Sequence, residues 1–452
     1  MIQNITYDEL ILRIIILLRD GKRKEFKIIM EELQPYDMAY LFKELPEKHR
    51  GRFLTFITVD DITEMMGELE REYQEIILEK VGKDKATFVT NKMDNDDLAN
   101  LFDEMDDELK DQLLSNMEVE ESKAVQLLMN YPAETAGRIM TNRFVWIPQH
   151  FTVQDAVVKL KSFAEIAESI NYLYVINDQK QLVGVLSYRD LILGEPDEKV
   201  QDLMFTRVIA VGAFQDQEEI AKLIERYDFL AIPVVEENNV LVGIVTVDDI
   251  IDVVIQEAGE DYEKFAASGK DITFDTPAFV AAYRRLPWLI LLLFIGLISG
   301  SILNYFEDTL QQVVALAFFM PMIAGMTGNT GTQSLAVVIR GLSKEELTKK
   351  IILRLIFREL RTSIYIGIVC SIIITVVAIV WQGNMILGFV VGSSLLMTLI
   401  IGTMAGTVVP IILHRLNVDP AIASGPLITT LNDILSLLIY FGIATAFLHT
   451  LM

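Results

Sequence analysis

Over the first 130 or so positions, apolar residues recur every three or four places in short runs separated by polar turns, the period of short amphipathic helices. Two of these runs echo each other, DMAYLFKEL from Asp37 and DLANLFDEM from Asp97, which predicts helical repeats stacked into a superhelix. The pattern then changes. QLVGVLSYRDLI (181–192) matches VLVGIVTVDDII (240–251) at an offset of 59 residues, and a strand-like run, LYVIND or AIPVVEE, precedes each copy. A Met-led extended segment and a helix come before those, IMTNRFVWIP with TVQDAVVKL and LMFTRVIAVG with DQEEIAKLI. The predicted order is strand, helix, strand, strand, helix, given twice.

A helix and linker over about 253–276 lead to five apolar stretches, 288–305, 310–339, 363–381, 385–413 and 421–448. Each is near the roughly 20 residues that a spanning helix needs. Arg284 and Arg285 precede the first stretch. Lys344, Lys349, Lys350, Arg354, Arg358 and Arg361 separate the second from the third, and Arg415 lies between the fourth and fifth. The loops NYFEDTLQQ and WQGN carry no basic residue. By the positive-inside rule the N-terminus lies in the cytoplasm and the C-terminus outside. ELILRIIILLRDG, near the start, is interrupted by Arg13 and has no small-residue cleavage site after it, so it does not read as a signal peptide.

Charge sharpens this division. Residues 281–452 carry 10 Lys+Arg against 7 Asp+Glu, and residues 1–280 carry 29 against 56. So acidic a front half repels nucleic acid and attracts cations, although a solubilising surface has the same composition. Cys370 is the single cysteine, which excludes an intrachain disulfide or a thiolate metal cluster. The four histidines are scattered, no nucleophile–base spacing stands out, and no GxxxxGK[ST] is present, so the chain does not read as an enzyme or an ATPase.

Two features inside the apolar half carry chemistry. AGMTGNTGTQSLAVVIRGL (324–342) places four glycines and a group of polar side chains between apolar walls. Such a stretch predicts a helix that breaks easily, and broken backbone at membrane depth survives only where protein or a wet path surrounds it. The second is Asp433, 13 residues after Pro420 in DPAIASGPLITTLNDILSLLIYF and so about 20 Å along a helix begun there. An acid at that depth is a functional site by default. Asn432, Thr429 and Thr430 add oxygens on neighbouring turns, and Gly425-Pro426 is expected to loosen the helix below them. An oxygen-rich path without sulfur or imidazole suits Mg²⁺, Ca²⁺ or Mn²⁺. One carboxylate is too few to strip a hard cation, which favours a largely hydrated Mg²⁺.

The doubled motif over 137–256 resembles a tandem pair of CBS domains, modules that often sense adenine nucleotides. Ser187/Asp190 and Thr246/Asp249 occupy the positions that would hold a ribose or phosphate, and as Ser or Thr ahead of an apolar helix they equally read as N-caps, the reading preferred here. PMIAGMTGNTGTQS followed by NVDPAIASGPLITTLNDILSLLIYF resembles the MgtE family of magnesium channels, and the order of parts matches from end to end. The resemblance implies a multidomain protein: an all-α acidic N-terminal superhelix (1–136), an α/β tandem CBS pair (137–199 and 200–256), a long connecting helix and linker (257–283) and a five-helix α transmembrane domain (284–452). It also implies a multi-pass protein of the cell membrane, forming a homodimer with the pore at the subunit interface. No nucleic acid partner is implied.

Carried over residue by residue, the resemblance implies that Asp433 binds hydrated Mg²⁺ in the pore, with the Thr429 carbonyl and Asn329 lining the path. It also places regulatory Mg²⁺ at Asp96, Gly137 (through its carbonyl), Glu218, Glu225, Asp228, Asp249, Asp252, Glu257, Glu260, Asp261 and Asp419. Asn100 departs from the pattern, standing where an acid is usual. Two acidic surfaces repel when bare and are drawn together by an ion between them, so high cytosolic Mg²⁺ selects a closed state. The alternatives are a divalent cation exchanger or a Mn²⁺/Co²⁺ transporter and, from another class, a membrane-anchored nucleotide sensor. Asp433 argues against the last.

Overall fold

The computed structural model describes residues 6–163, 167–267, 272, 276–342, 348–416 and 418–451. Lys344, used above for orientation, Asn417 and most of the linker after residue 267 lie outside the described residues. The chain divides into two compact units, Met1–Ile255 and Gln256–Met452. Helices used below are labelled in chain order.

In the first unit ten short helices run from Tyr7–Asp20 to Val119–Met129. Their starts are written locally: Thr6 and Thr58 each form a capping box with the acid three residues on. The echo seen in sequence is an echo in packing. Met38, Ala39, Leu41, Phe42 and Leu45 are buried in one copy, and Leu98, Ala99, Leu101, Phe102 and Met105 in the other. The second copy is helix α1 (Asn95–Glu104), which packs on α2 (Val119–Met129).

Two three-stranded sheets follow. In the first, β1 (Phe144–Pro148) pairs parallel with β2 (Ser169–Ile176), which pairs antiparallel with β3 (Leu182–Ser187). In the second, β4 (Val211–Gly212), β5 (Ala231–Val235) and β6 (Leu241–Thr246) repeat that order and sense. The repeats are interleaved. Met204 packs where a Cβ on Gly184 would sit, 2.4 Å from its sulfur, and Met140 packs in the same way on Gly243, at 2.6 Å. Thr141 bridges Ile244 and Phe205 bridges Val185, so the Met-led segment ahead of each repeat completes the other repeat's sheet. Neither repeat covers its own core alone. The hydrophobic core of the helical N domain is continuous with that of the second repeat through Tyr131, Ala136, Ile139 and Met140.

Helix α3 (Val247–Ala266) follows β6 without interruption; the sequence reading had divided it at residue 257. In the second unit come α4 (Ala278–Tyr305), α5 (Leu316–Leu342), α6 (Lys349–Gln382), α7 (Met385–Arg415) and α8 (Gly425–Ala446). By length and composition α4, α6, α7 and α8 are each apolar enough to cross a membrane. Helix α5 is long enough at 27 residues, but its polar stretch dilutes its apolarity.

Three expectations about this half are corrected. The stretch at 324–342 does not break: α5 runs through it as a continuous helix. Its start is later than expected, because EDTLQQ forms its own short helix (Glu307–Gln312) and Val313 leaves the helical region at φ −130°. Gly425 and Pro426 do not loosen a helix; they begin one, behind the N-cap Ser424, where a missing proline N–H costs nothing. Asp433 therefore lies eight residues into α8, about 12 Å along it, nearer the helix start than its distance from Pro420 implied.

Candidate functional site

The glycines of α5 bring helices together. A Cβ on Gly331 would stand 2.0 Å from Asn432 Nδ2, and one on Gly328 would stand 2.9 Å from Thr429 Cγ2, both on α8. On the side toward α7, a Cβ on Gly406 would stand 2.2 Å from the Gly331 carbonyl oxygen. Small residues allow this backbone contact, the usual basis of helix association in lipid. Asn432 fastens the junction. It is fully buried, and its Nδ2 donates to the carbonyls of Thr327 (3.2 Å) and Gly402 (3.4 Å). The reading of Asn432 as an oxygen lining the ion path is thus replaced: it staples three helices.

With that face of α5 packed, its other face opens on a cavity of about 750 Å³. Asn329, Thr332, Gln333 and Ala336 of α5 and Gly425, Pro426, Thr429 and Thr430 of α8 line it, and Tyr262, Phe265 and Ala266 of α3 stand across it. Neutral polar side chains of α5 and α8 (Asn329, Thr332, Gln333, Thr429 and Thr430) therefore line part of a space wide enough for a hydrated ion, and apolar groups line the rest. Thr429 Oγ1 donates to Gly425 O at 2.8 Å, and its carbonyl lies within the unbroken helix. Asp433 is four residues on, and thus on the same face one turn further in. It is half-buried.

Ahead of α8, Asp419 caps the short turn Pro420–Ile422, accepting from the N–H of Ala421 at 2.8 Å. The other side of Asp419 meets a lysine. Lys264 Nζ lies 2.9 Å from its Oδ2 and 3.5 Å from Glu260 Oε2. Burial works against the Lys264 charge, but Asp419, with Glu260 and Asp261, outweighs it and holds the ammonium above the ordinary lysine range. Glu257, Glu260 and Asp261 share helix α3, and between Glu260 and Asp419 stands Lys264, a cation the chain supplies.

In the first unit the N domain and the CBS pair face each other through acids. Asp96 is buried, with Oδ1 unpartnered, and burial and the charges of Asp249, Asp97 and Glu168 push it well above the carboxylate range. Burial and Glu168 raise Asp249 to about 8. Burial, with Asp94 and Asp252 adding charge, raises Asp97 to about 6. Burial also lifts Glu168 to about 7. Asp96, Asp249 and Asp252 are thus brought into one acidic region. Asp249, in the first turn of α3, accepts from Thr246, and Asp190 accepts from Ser187, the N-cap whose hydroxyl in turn accepts from the Asp190 N–H. Glu218 and Glu225 lie exposed on Gln217–Tyr227, where Lys222 pairs with Glu218 at 3.1 Å, and Asp228 ends that helix in the left-handed region. Gly137 sits in a short buried turn, its N–H donating to Ala213 O. Among the described residues, no three His, Cys, Asp or Glu side chains converge closely enough to hold a metal ion.

Sequence reading missed Glu168, Lys264 and Glu359. Glu359 is buried on α6, accepting from Ser334 of α5 at 3.2 Å and from Arg358 at 2.9 Å, and Ser334 in turn meets Thr407 of α7 at 2.7 Å. Its signal was visible, since it is the one acid in the basic run LRLIFRELR.

The family described as "Divalent cation transporter" matches residues 320–443, the "MgtE intracellular N domain" matches 33–134, and the CBS domain matches 136–194 and 200–256. A magnesium transporter MgtE of Bacillus subtilis is 81% identical over 451 residues, covering 100% of both chains. Its counterpart in Thermus thermophilus is 35% identical over 96% of this chain and 97% of its own. Among solved structures, the soluble part of a magnesium transporter matches with 34% identity and a TM-score of 0.52, covering 56% of this chain and all of that one. The cytosolic domain of a Mg²⁺ channel MgtE in complex with ATP matches with 32% identity and the same TM-score, over 54% and 99%.

Proposed function

This chain belongs to the MgtE family of magnesium transporters, and we propose that it is a Mg²⁺ channel of the cell membrane that carries the ion inward and closes as cytosolic Mg²⁺ rises. One observation supports the path best: Asp433 stands one turn beyond Thr429, past a cavity lined in part by neutral polar side chains that include Asn329. Hydrated Mg²⁺ suits that arrangement, because the walls touch its waters and each subunit offers its charge a single carboxylate. An inside-negative potential of 100 mV favours entry of a divalent cation by about 4.6 kcal/mol. A homodimer with the path between its subunits, the N-terminus inside and the C-terminus outside completes the reading.

Closure rests on the acids. Asp96, with its orphaned buried oxygen, and Asp249 fit an ion that enters between them after a side-chain rotation, removing a repulsion that the bare protein bears. A bridging ion at Glu257, Glu260, Asp261 and Asp419 would hold α3 against the cavity mouth, where Tyr262 and Phe265 stand across the path. The remaining positions, Gly137, Glu218, Glu225, Asp228 and Asp252, would add ligands around the CBS pair. Purified protein in liposomes tests this: Mg²⁺ influx should fall as Mg²⁺ on the cytosolic side rises, and influx indifferent to that side would overturn it.

A second ligand has its own support. A cleft of about 80 Å³ between the repeats is lined by Tyr172, Tyr174, Phe205, Arg207, Phe229 and Pro233 among others. Aromatic walls and a guanidinium suit an adenine nucleotide laid against the mouth of the cleft, which is itself too small to enclose one, with a phosphate at Arg207. ATP should raise the melting temperature of the full chain, and Arg207→Ala should abolish the rise.

A further inference from the structure

Helix α6 carries one acid in its basic first half, and that acid is turned inward. Glu359 is 6% exposed, whereas the side chain of its neighbour Arg358 is 57% exposed. Arg358 places both Nε (3.2 Å) and Nη2 (2.9 Å) on Glu359 Oε1. That leaves Oε2 for α5, where the Ser334 hydroxyl donates to it at 3.2 Å. Ser334 Oγ also lies 2.7 Å from Thr407 Oγ1, and Thr407 donates to the Thr403 carbonyl on its own helix, α7, at 2.8 Å. One carboxylate thus joins three helices through one serine. A buried acid among apolar helices is costly unless it is paired and put to use, and the ion path described above does not employ this one.

Ser334 belongs to the packed face of α5. Thr327, Gly331, Ser334 and Val338 follow one another at helical spacing, and all are buried. The cavity wall is the other face, with Asn329, Thr332, Gln333 and Ala336. Which residues meet the cavity is therefore set by the roll of α5 about its own axis. Close packing at Gly331 fixes the distance of α5 from its neighbours, and the hydrogen bonds at Ser334, one turn on, fix its roll. A roll of about 20° carries a side-chain tip roughly 2 Å. We propose that Glu359 is a positioning residue for the ion path: through Ser334 it holds the Asn329 and Gln333 amides in place on the cavity wall. The inference rests on the pore reading above. Mg²⁺ keeps its waters in near-ideal octahedral directions, whereas Ca²⁺ accepts a flexible shell. A wall released from Glu359 therefore costs Mg²⁺ more than Ca²⁺, and discrimination is lost.

Initial influx of Mg²⁺ and of Ca²⁺ into liposomes containing the full chain gives the ratio that tests this, with the melting temperature measured alongside. Glu359→Ala and Ser334→Ala should each lower the Mg²⁺/Ca²⁺ ratio by roughly threefold or more. Glu359→Gln should keep the parental ratio, since its amide donates to Ser334 while its carbonyl accepts from Arg358. A purely structural role lowers the melting temperature and total influx but leaves the ratio unmoved. A parental ratio in either alanine variant would overturn the proposal. Ser334→Ala removes a single hydroxyl, so it decides the matter even where Glu359→Ala does not fold. A ratio for Glu359→Gln as low as that for Glu359→Ala would also overturn it, since the charge and not the hold on α5 would then be at work. Failure of the pore reading shows separately, as parental Mg²⁺ influx in Asp433→Asn.

Discussion

Lys264 and Asp419 form an ion pair, Nζ to Oδ2 at 2.9 Å, at the place where a bridging Mg²⁺ would join α3 to the cavity mouth. The ammonium and the ion compete for the same carboxylates. Lys264→Met should therefore free Asp419 and Glu260 and move inhibition to lower cytosolic Mg²⁺, by roughly two- to fivefold for a partly exposed pair. Asp419→Ala and Glu260→Ala/Asp261→Ala should each move it to higher Mg²⁺, and their combination should add little, because one bridge is already lost. Inhibition curves for the variants measure the shifts.

Helix contact along α5 predicts unequal tolerance of alanine. Gly331→Ala places a methyl 2.0 Å from the Asn432 amide, which two carbonyls hold. Overpacking of that kind costs about 1–3 kcal/mol and should lower the melting temperature in detergent together with transport. Gly325→Ala meets nothing within 4 Å, so its melting temperature should hold or rise slightly.

The pattern of hydrophobic positions made the architecture legible, because amphipathic period, doubled motif and apolar runs are local properties of the chain. The roles of individual residues were less legible. A glycine-rich stretch reads as a weak helix until its neighbours are known; only packing against Asn432 and Gly406 shows why Gly331 sits in an intact one. Asp433 stood out because acids are scarce around it, whereas Asp419 entered only through the family resemblance. Lys264 did not stand out, since a basic residue in an acidic half looks ordinary until a carboxylate partner distant in sequence, Asp419, comes into reach.

Acidity at the N domain–CBS interface should depend on pH when divalent ions are removed. Asp97, Glu168 and Asp249 titrate near 6, 7 and 8 in the fold, above the ordinary carboxylate range of about 4. Each binds its proton more tightly folded than unfolded, so their stabilising contribution is complete below that range and is lost as pH rises through the folded values. In EDTA the cytosolic unit should melt at a higher temperature at pH 5.5 than at pH 8.5. Mg²⁺ should restore most of the difference at pH 8.5, since it replaces the protons it displaces, and Asp249→Asn should flatten the profile. Calorimetry of the full chain at both pH values gives the comparison.

The central claim, that Asp433 is the charge Mg²⁺ meets in the path, is tested most directly by Mg²⁺ influx into liposomes containing Asp433→Asn. That substitution keeps the shape and removes the charge, and gel filtration verifies that the assembly is unchanged. The account predicts influx indistinguishable from empty liposomes, with parental melting behaviour. Influx close to that of the parent protein would contradict it.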